Sequence, residues 1–337
     1  MKKIFNLIVS FVLLAGFSAC NKDGSDKPGL PPAPVPTVNY KGLTFISSGN
    51  STVCLAKVGT PDEITLEYST DESQWNPYTI GEKISLADGT FLLFRAGEQK
   101  NLTFSKGSDS YYHFEISGPV TAQGNIMSLL DRDFSTPLST NAFFALFEGC
   151  TSLLSAPELP ATTMAQGCYF RMFAGCTGLT SAPELPANVL AYNCYGWMFK
   201  GCSALTYVPD LPATKMEAYC YNSMFANCTS LKFAPELPAK RLESSCYHCM
   251  FEGCTSLTSA PELPATELVS NCYEFMYKDC RNLRYVIGLF TTEPSEKTTK
   301  DWLSGVAASG TFIKSEKATW NVTGAHGIPE GWKIETW

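Results

Sequence analysis

The residues of this chain with the widest chemical reach are its 14 cysteines, and 11 of them fall on one beat. One series runs Cys150, Cys176, Cys202, Cys228, Cys254 and Cys280; the other runs Cys168, Cys194, Cys220, Cys246 and Cys272; the step is 26 residues in both. Thiols in such columns could form disulfides, bind soft metals or fill a core. An exported protein can oxidise its thiols, but two observations favour packing. Ala142 takes the place of cysteine in the second column of the first unit, so a small buried residue suffices there. Setting Cys20 aside leaves 13 cysteines, an odd number that cannot all pair within one chain. Reduced cysteine is among the most buried residue types, so free thiols used as core filler are expected, with isolated disulfides between units as the alternative. The densest group of soft ligands, Cys246-Tyr247-His248-Cys249 with Cys254, matches no standard zinc spacing. No metal and no cofactor are expected.

Catalysis finds little support. The three histidines, His113, His248 and His326, stand in unrelated contexts, and no G-x-S-x-G, H-E-x-x-H or phosphate-cradling glycine loop occurs. The chain is therefore expected not to be an enzyme. Glu158, Glu184, Asp210, Glu236 and Glu262 form a column of carboxylates, expected to face water; a strip that meets basic partners or calcium is the sharper alternative. A repeating column of this kind cannot be read as a paired-carboxylate hydrolase.

A more informative column varies: Ser155, Ser181, Tyr207, Phe233, Ser259 and Tyr285. Positions that exchange serine for large aromatics cannot fill a uniform core, so this column is expected to point outward. Lys232 and Arg284 precede two of its rings, and aromatic side chains beside arginine or lysine are typical contact anchors. Tyr207, Lys232, Phe233, Arg284 and Tyr285 are thus the candidate binding face, with local packing against loops as the alternative. Trp75, which follows Ser69-Thr70-Asp71 in a stretch resembling an Asp-box turn, is a candidate sugar-stacking platform; a core plug is the plainer reading.

These residues need elements to hold them. A fixed period of this length marks a solenoid, in which each unit is one supersecondary turn stacked on the next. Met172, Met198, Met224, Met250 and Met276 share a column, next to Phe147, Phe173, Phe199, Phe225, Phe251 and Tyr277, and a third holds Leu153 through Leu283. The i, i+4, i+8 spacing of Leu190, Cys194 and Met198 predicts a helix ending near Gly201. Leu179-Thr180-Ser181-Ala182 is the expected short strand, closed by Pro183. Before the repeats, short runs such as Leu43–Ile46, Thr52–Leu55, Ile64–Tyr68, Lys83–Leu86 and Phe91–Phe94 predict strands, with Asp88-Gly89 as a hairpin turn. They indicate a small immunoglobulin-like or sandwich domain.

A net charge of −7 and a pI near 5.1 argue against nucleic acid as a partner. Lys2 and Lys3, an apolar run from Ile4 to Phe17 and then Ser18-Ala19-Cys20 resemble a bacterial lipoprotein signal, which implies Cys20 as the site of lipid attachment. Phe17 departs from the usual leucine of that signal. Residues 21–38 are polar and then proline-rich, the composition of a semi-rigid spacer. Asp23 and Asp26 loosely resemble the acidic export signal of surface lipoproteins in Bacteroidetes.

The words Y-x-x-M-F-x-G-C-T-S-L-T-S-A-P-E-L-P-A, with the W-L-S-G-V and G-I-P-E-G-W stretches near the C-terminus, resemble the variant leucine-rich repeats of BspA-like surface proteins. The resemblance implies a leucine-rich-repeat-like α/β solenoid at the cell surface of a Bacteroidetes bacterium, and adhesion to an extracellular or host protein. It transfers no catalytic residues. The expected plan is a signal peptide (1–20), a linker (21–38), an all-β module (39–120), a solenoid with its N-terminal cap (121–290) and a C-terminal cap (291–337). The expected protein is an outer-membrane lipoprotein, exposed at the surface, touching the membrane only through its lipid and binding protein through one solenoid face. Polysaccharide capture on exposed aromatics is the alternative.

Overall fold

A computed structural model describes residues 38–99 and 102–337. The expected signal, Cys20 and all but the last residue of the linker lie outside the described residues. Nine short strands come first: β1 (Thr44–Ser47), β2 (Ser51–Val58), β3 (Leu66–Ser69), β4 (Asn76–Tyr78), β5 (Ile84–Leu86), β6 (Phe91–Ala96), β7 (Ser105–Gly107), β8 (Ser110–Ser117) and β9 (Val120–Gln123). The strand order in one sheet is β9-β1-β6-β3-β4, and in the other β5-β2-β8-β7. Alternation explains β8, where Tyr112 and Phe114 are buried while Tyr111, His113 and Glu115 are not. The two sheets meet through Phe114, whose ring lies 5.0 Å from Phe45 and 5.5 Å from Phe94. Asp88-Gly89 does not close a hairpin. Gly89 turns at φ 74°, but β5 and β6 belong to different sheets, so the turn carries the chain across from one to the other.

From Asn141 onward the chain repeats as a β-solenoid with a period of about 26 residues. The expected helix along Leu190, Cys194 and Met198 is absent; consecutive tight turns stand in its place. Backbone φ is positive at every fourth residue of each turn block: Asn141, Ala145 and Gly149, then Gly167, Arg171 and Gly175, and so on to Asn271, Phe275 and Asp279. An α-helix requires negative φ throughout. Alternate amides in a block close turns within it, as when Phe144 N donates to Asn141 O (3.1 Å) and Glu148 N to Ala145 O (3.0 Å). The amides between them cross to the next unit: Phe143 N to Cys168 O (2.8 Å), Ala145 N to Phe170 O (2.9 Å), Phe147 N to Met172 O (2.8 Å). The geometry gives a period of four, two residues in and two out. Cys168 and Tyr169 are buried, Phe170 and Arg171 half-buried, Met172 and Phe173 buried again.

Stacking turns these inward pairs into ladders. Phe114, Phe147, Phe173, Phe199, Phe225, Phe251 and Tyr277 stack in sequence with ring centroids 5.2–5.7 Å apart. A parallel column runs from Phe143 through Tyr169, Tyr195, Tyr221, Tyr247 and Tyr273 to Trp302. The six thiols of the Cys150 series each donate to a carbonyl of the preceding layer; Cys202 Sγ reaches Phe173 O at 3.1 Å, for example.

The same devices join the two regions. β10 (Leu153–Ser155), from the first unit, pairs in parallel with β9 and extends that sheet. Cys150 Sγ donates to Phe114 O at 3.0 Å, as later thiols donate to repeat phenylalanines. One hydrophobic core crosses the boundary expected near residue 120. At the far end, β11 (Ser259–Leu263), β12 (Tyr285–Gly288), β13 (Thr311–Lys314) and β14 (Lys333–Thr336) form a parallel sheet in that order. α1 (Glu296–Thr299) is the one α-helical segment among the described residues, with a 3-10 turn at Ile126–Leu129. The structural repeat outlasts the sequence words: Tyr277 N donates to Trp302 O (2.8 Å) and Asp279 N to Ser304 O (2.7 Å), and Asp301 and Gly305 keep the positive φ. No helix among the described residues is long and apolar enough to cross a membrane.

The ladders rank two substitutions. Phe199→Ala, in the middle of the inner phenylalanine stack, should cost about 3–5 kcal/mol of unfolding free energy. Cys220→Ala places in that column the residue type found at position 142 and should cost about 1 kcal/mol. Urea titration followed by circular dichroism checks both.

Candidate functional site

Each unit passes from its turn block through a buried leucine to a corner where two successive side chains face water. In one unit Leu205 is buried, Thr206 and Tyr207 are exposed, and Val208 is buried again. The corner is held by parallel bridges between units: Ser181 to Tyr207, Phe233 to Ser259, Ser259 to Tyr285 and Tyr285 to Thr311. Leu179–Ala182 is thus a single bridge at Ser181 rather than a full strand. Backbone bonds bind the same corner, with Thr206 N on Thr180 O (3.0 Å), Arg284 N on Thr258 O (3.1 Å) and Thr311 N on Arg284 O (2.7 Å).

The variable column points outward along this corner. Tyr207 is 60% exposed, Phe233 69% and Tyr285 39%, and Lys232 and Arg284 are exposed beside the latter two. Ser259 lies in register between Phe233 and Tyr285. At ~4.8 Å per strand, the two backbones stand roughly 10 Å apart, with the small serine flooring the gap between the rings. Burial of Leu205, Leu231, Leu257 and Leu283 underneath anchors the corner, so the rings are free to contact a partner without unpacking the core. Further along the same units, Glu158, Glu184, Asp210 and Glu236 are exposed and Glu262 half-buried, so this column faces water as expected. The groups gather no set of three or more metal-binding side chains among the described residues.

Trp75 stands elsewhere, beside β4. The Arg95 guanidinium lies 3.8 Å over its ring and Tyr40 packs edge-on at 5.1 Å. Arg95 is in turn fixed by Glu67, 2.7 Å from its guanidinium, and Arg132 pairs with the other oxygen of Glu67 at 2.7 Å. One face of the indole is therefore already engaged. The nearby turn is braced by Asp71, whose Oδ1 accepts from Gln74 N (2.8 Å) and Ser73 N (2.9 Å), bonds that hold its carboxyl below the usual range.

Burial governs the described thiols. All thirteen described cysteines are free and buried. Cys246 points into the core while His248 and Cys249 lie on the outer side of the turn block, so the four-residue group separates onto two faces. Cys249 Sγ and Glu274 Oε2 both approach the same histidine nitrogen, His248 Nε2, at 3.8 and 3.6 Å. A nucleophilic triad needs the two ring nitrogens to serve different partners. Burial also pushes the Cys249 thiol up to about 12, assisted by Glu252, the opposite of an activated nucleophile.

Sequence reasoning missed the outer side of the turn block. Arg171 pairs there with Glu148, Lys200 Nζ sits 3.9 Å over the Trp197 ring, and a row of rings leads toward it, with Tyr111 edge-on to Phe144, Phe144 stacked on Phe170 and Phe170 tilted against Trp197. The signal was present as glycine and asparagine recurring at left-handed positions, which mark turns rather than a helix. Comparison of the chain with known protein families, curated proteins and solved structures finds no match. Fold and surface therefore define the class directly: a β-solenoid, joined to a two-sheet module, with a ladder of exposed aromatic and basic side chains on one corner.

The buried thiols set an alkaline limit. Burial raises Cys150, Cys168, Cys202 and Cys254 from an ordinary 9.0 to about 12. A group whose folded value is raised contributes its stability fully below the unfolded value and loses it as pH climbs toward the folded one. Each thiol withdraws ~1.4 kcal/mol per pH unit in the window from about 9 to about 12, and the four together withdraw roughly 5–6 kcal/mol per pH unit. Against a domain stability of ~5–15 kcal/mol, circular dichroism should record cooperative unfolding before pH 12, with full stability retained at pH 8.

Proposed function

We propose that the protein is a surface-exposed lipoprotein, anchored by an acyl group on Cys20, that binds an extracellular or host protein through the corner carrying Tyr207, Lys232, Phe233, Arg284 and Tyr285. The kinship with BspA-like leucine-rich-repeat adhesins, carried by the repeat words, belongs to this reading, as does an outer-membrane location. One observation supports it most: three large rings and two cations stand exposed on one corner, with Phe233 and Tyr285 in register through Ser259 and Tyr207 bridged to Ser181. Large apolar rings kept in water are costly for a monomer to display and are the usual anchors of protein contacts. Rigid backing also lowers the entropy lost on binding. The role is non-catalytic in this reading.

The sugar-stacking alternative is weaker at Trp75, where Arg95 already covers one face of the indole. On the corner, rings flanked by lysine and arginine suit an acidic or mixed protein surface.

The paired substitution Tyr207→Ala with Phe233→Ala should leave the melting temperature within a degree or two, since both rings are exposed. It should weaken capture of a protein ligand at least tenfold in a biosensor screen of immobilised extracellular-matrix and serum proteins. Unchanged protein binding by that variant would sink the assignment of the corner, and binding to polysaccharides alone would move the function to glycan capture. Separately, Cys20→Ala should abolish incorporation of radiolabelled palmitate into the expressed protein; continued labelling would remove the lipid anchor from the proposal.

A further inference from the structure

β14 is the last strand of its parallel sheet, and no strand among the described residues pairs with its second edge. Its first edge is fully used. Lys333 N donates to Gly310 O and Trp337 N to Lys314 O, both at 2.9 Å. Because amides alternate in direction along an extended strand, those of Ile334 and Thr336 face the open side. Register with β13 aligns Ile334 with Phe312 and, through it, with Val286. Val286 and Phe312 are wholly buried, whereas Ile334, the next member of the same inward column, is 39% exposed. On the outward side, Lys333 continues the column of Tyr285 and Thr311, and Trp337 is 64% exposed.

We propose that this edge pairs antiparallel with the same edge of a second copy of the chain, about a two-fold axis at Ile334. The strand is complementary to itself in one register only. In an antiparallel pair, residues whose amides face the open side must stand opposite one another. Ile334 can therefore meet Ile334, Ile334 can meet Thr336, or Thr336 can meet Thr336. The first register sets Lys333 opposite Glu335 on both sides of the axis, in the non-hydrogen-bonded positions where side chains come closest. The second sets Glu335 against Glu335. The third sets Glu335 against Trp337 and forms no opposite-charge pair.

Within one chain Lys333 Nζ lies 2.6 Å from Glu335 Oε1, so the exchange across the axis gives each charge a second opposite partner. The pairing also closes the end of the core, because the two Ile334 side chains meet beneath the joined sheets. An edge bearing charges ordinarily resists pairing; here the charges favour one register, the only one that forms opposite-charge pairs. A two-fold contact of this kind uses the same patch on both copies and closes on itself, so it yields a dimer and not a fibre.

Sedimentation equilibrium of the full chain in a density-matched detergent reads the result. The expected mass is that of two chains at high micromolar concentration. Lys333→Glu alone and Glu335→Lys alone should each weaken association at least tenfold, because like charges then face across the axis. The double exchange Lys333→Glu with Glu335→Lys should restore it. A single-chain mass at every concentration overturns the proposal, as does a dimer indifferent to either single substitution. Unchanged circular dichroism melts of the three variants keep misfolding out of the comparison.

Discussion

The sharing of amides between neighbouring units governs the structure. In every turn block alternate N–H groups are committed to the next unit, and every second one of the residues that donate them adopts left-handed backbone. Arg171, Trp197, Cys249 and Phe275 all do so at φ 54–58°, a conformation costing non-glycine residues roughly 1–2 kcal/mol each. One unit in isolation would carry that strain without the bonds that offset it. Stacking is therefore a condition of each unit's fold, and both end structures follow from it. The N-terminal module supplies Phe114 and β9 as a substitute for a preceding layer, and Trp302, β13 and β14 supply a following one.

The same constraint separates what can vary from what cannot. Inward pairs such as Cys194-Tyr195 and Met198-Phe199 are locked into ladders, where an altered ring would disturb the layers on both sides. The corner residues touch their neighbours mainly through backbone. This explains why one column can hold Ser181, Tyr207, Phe233 and Ser259 in succession without deforming the coil. Side-chain identity there is free to serve recognition while geometry is held elsewhere. The cysteines, conspicuous in sequence, belong to the locked class: their thiols are neutral, buried and, in one series, hydrogen-bonded to carbonyls of the layer before.

The solenoid, its period and the outward direction of the Tyr207 column were legible in the repeats, because identical positions in successive units must share an environment. The strands around Thr44–Ser47, Ser51–Val58 and Phe91–Ala96 were also legible from their β-branched and alternating runs. The nature of the turn block was not. A stripe at Leu190, Cys194 and Met198 fits a period of 3.6 and a period of four equally well over so short a stretch. The distinguishing mark was the recurrence of residues tolerant of left-handed backbone, eight apart, at Asn141 and Gly149, Gly167 and Gly175, Asn193 and Gly201, and Asn271 and Asp279. Nor could the pairing of β14 or the clasp of Arg95 on Trp75 be read in advance, since both depend on contacts between segments far apart in the chain.

The continuity of core between module and solenoid has a mechanical meaning. Phe45 meets Phe114 edge-on and Phe114 stacks on Phe147 across the junction, β9 and β10 share a ladder, and Cys150 ties the first unit to β8. No pliant joint separates the two regions, so a pull at residue 38 is carried as shear along paired strands instead of being absorbed by a swivel. The corner with its aromatic side chains then keeps a fixed bearing relative to the point where the folded chain begins, and a load on that corner is resisted by the whole stack at once.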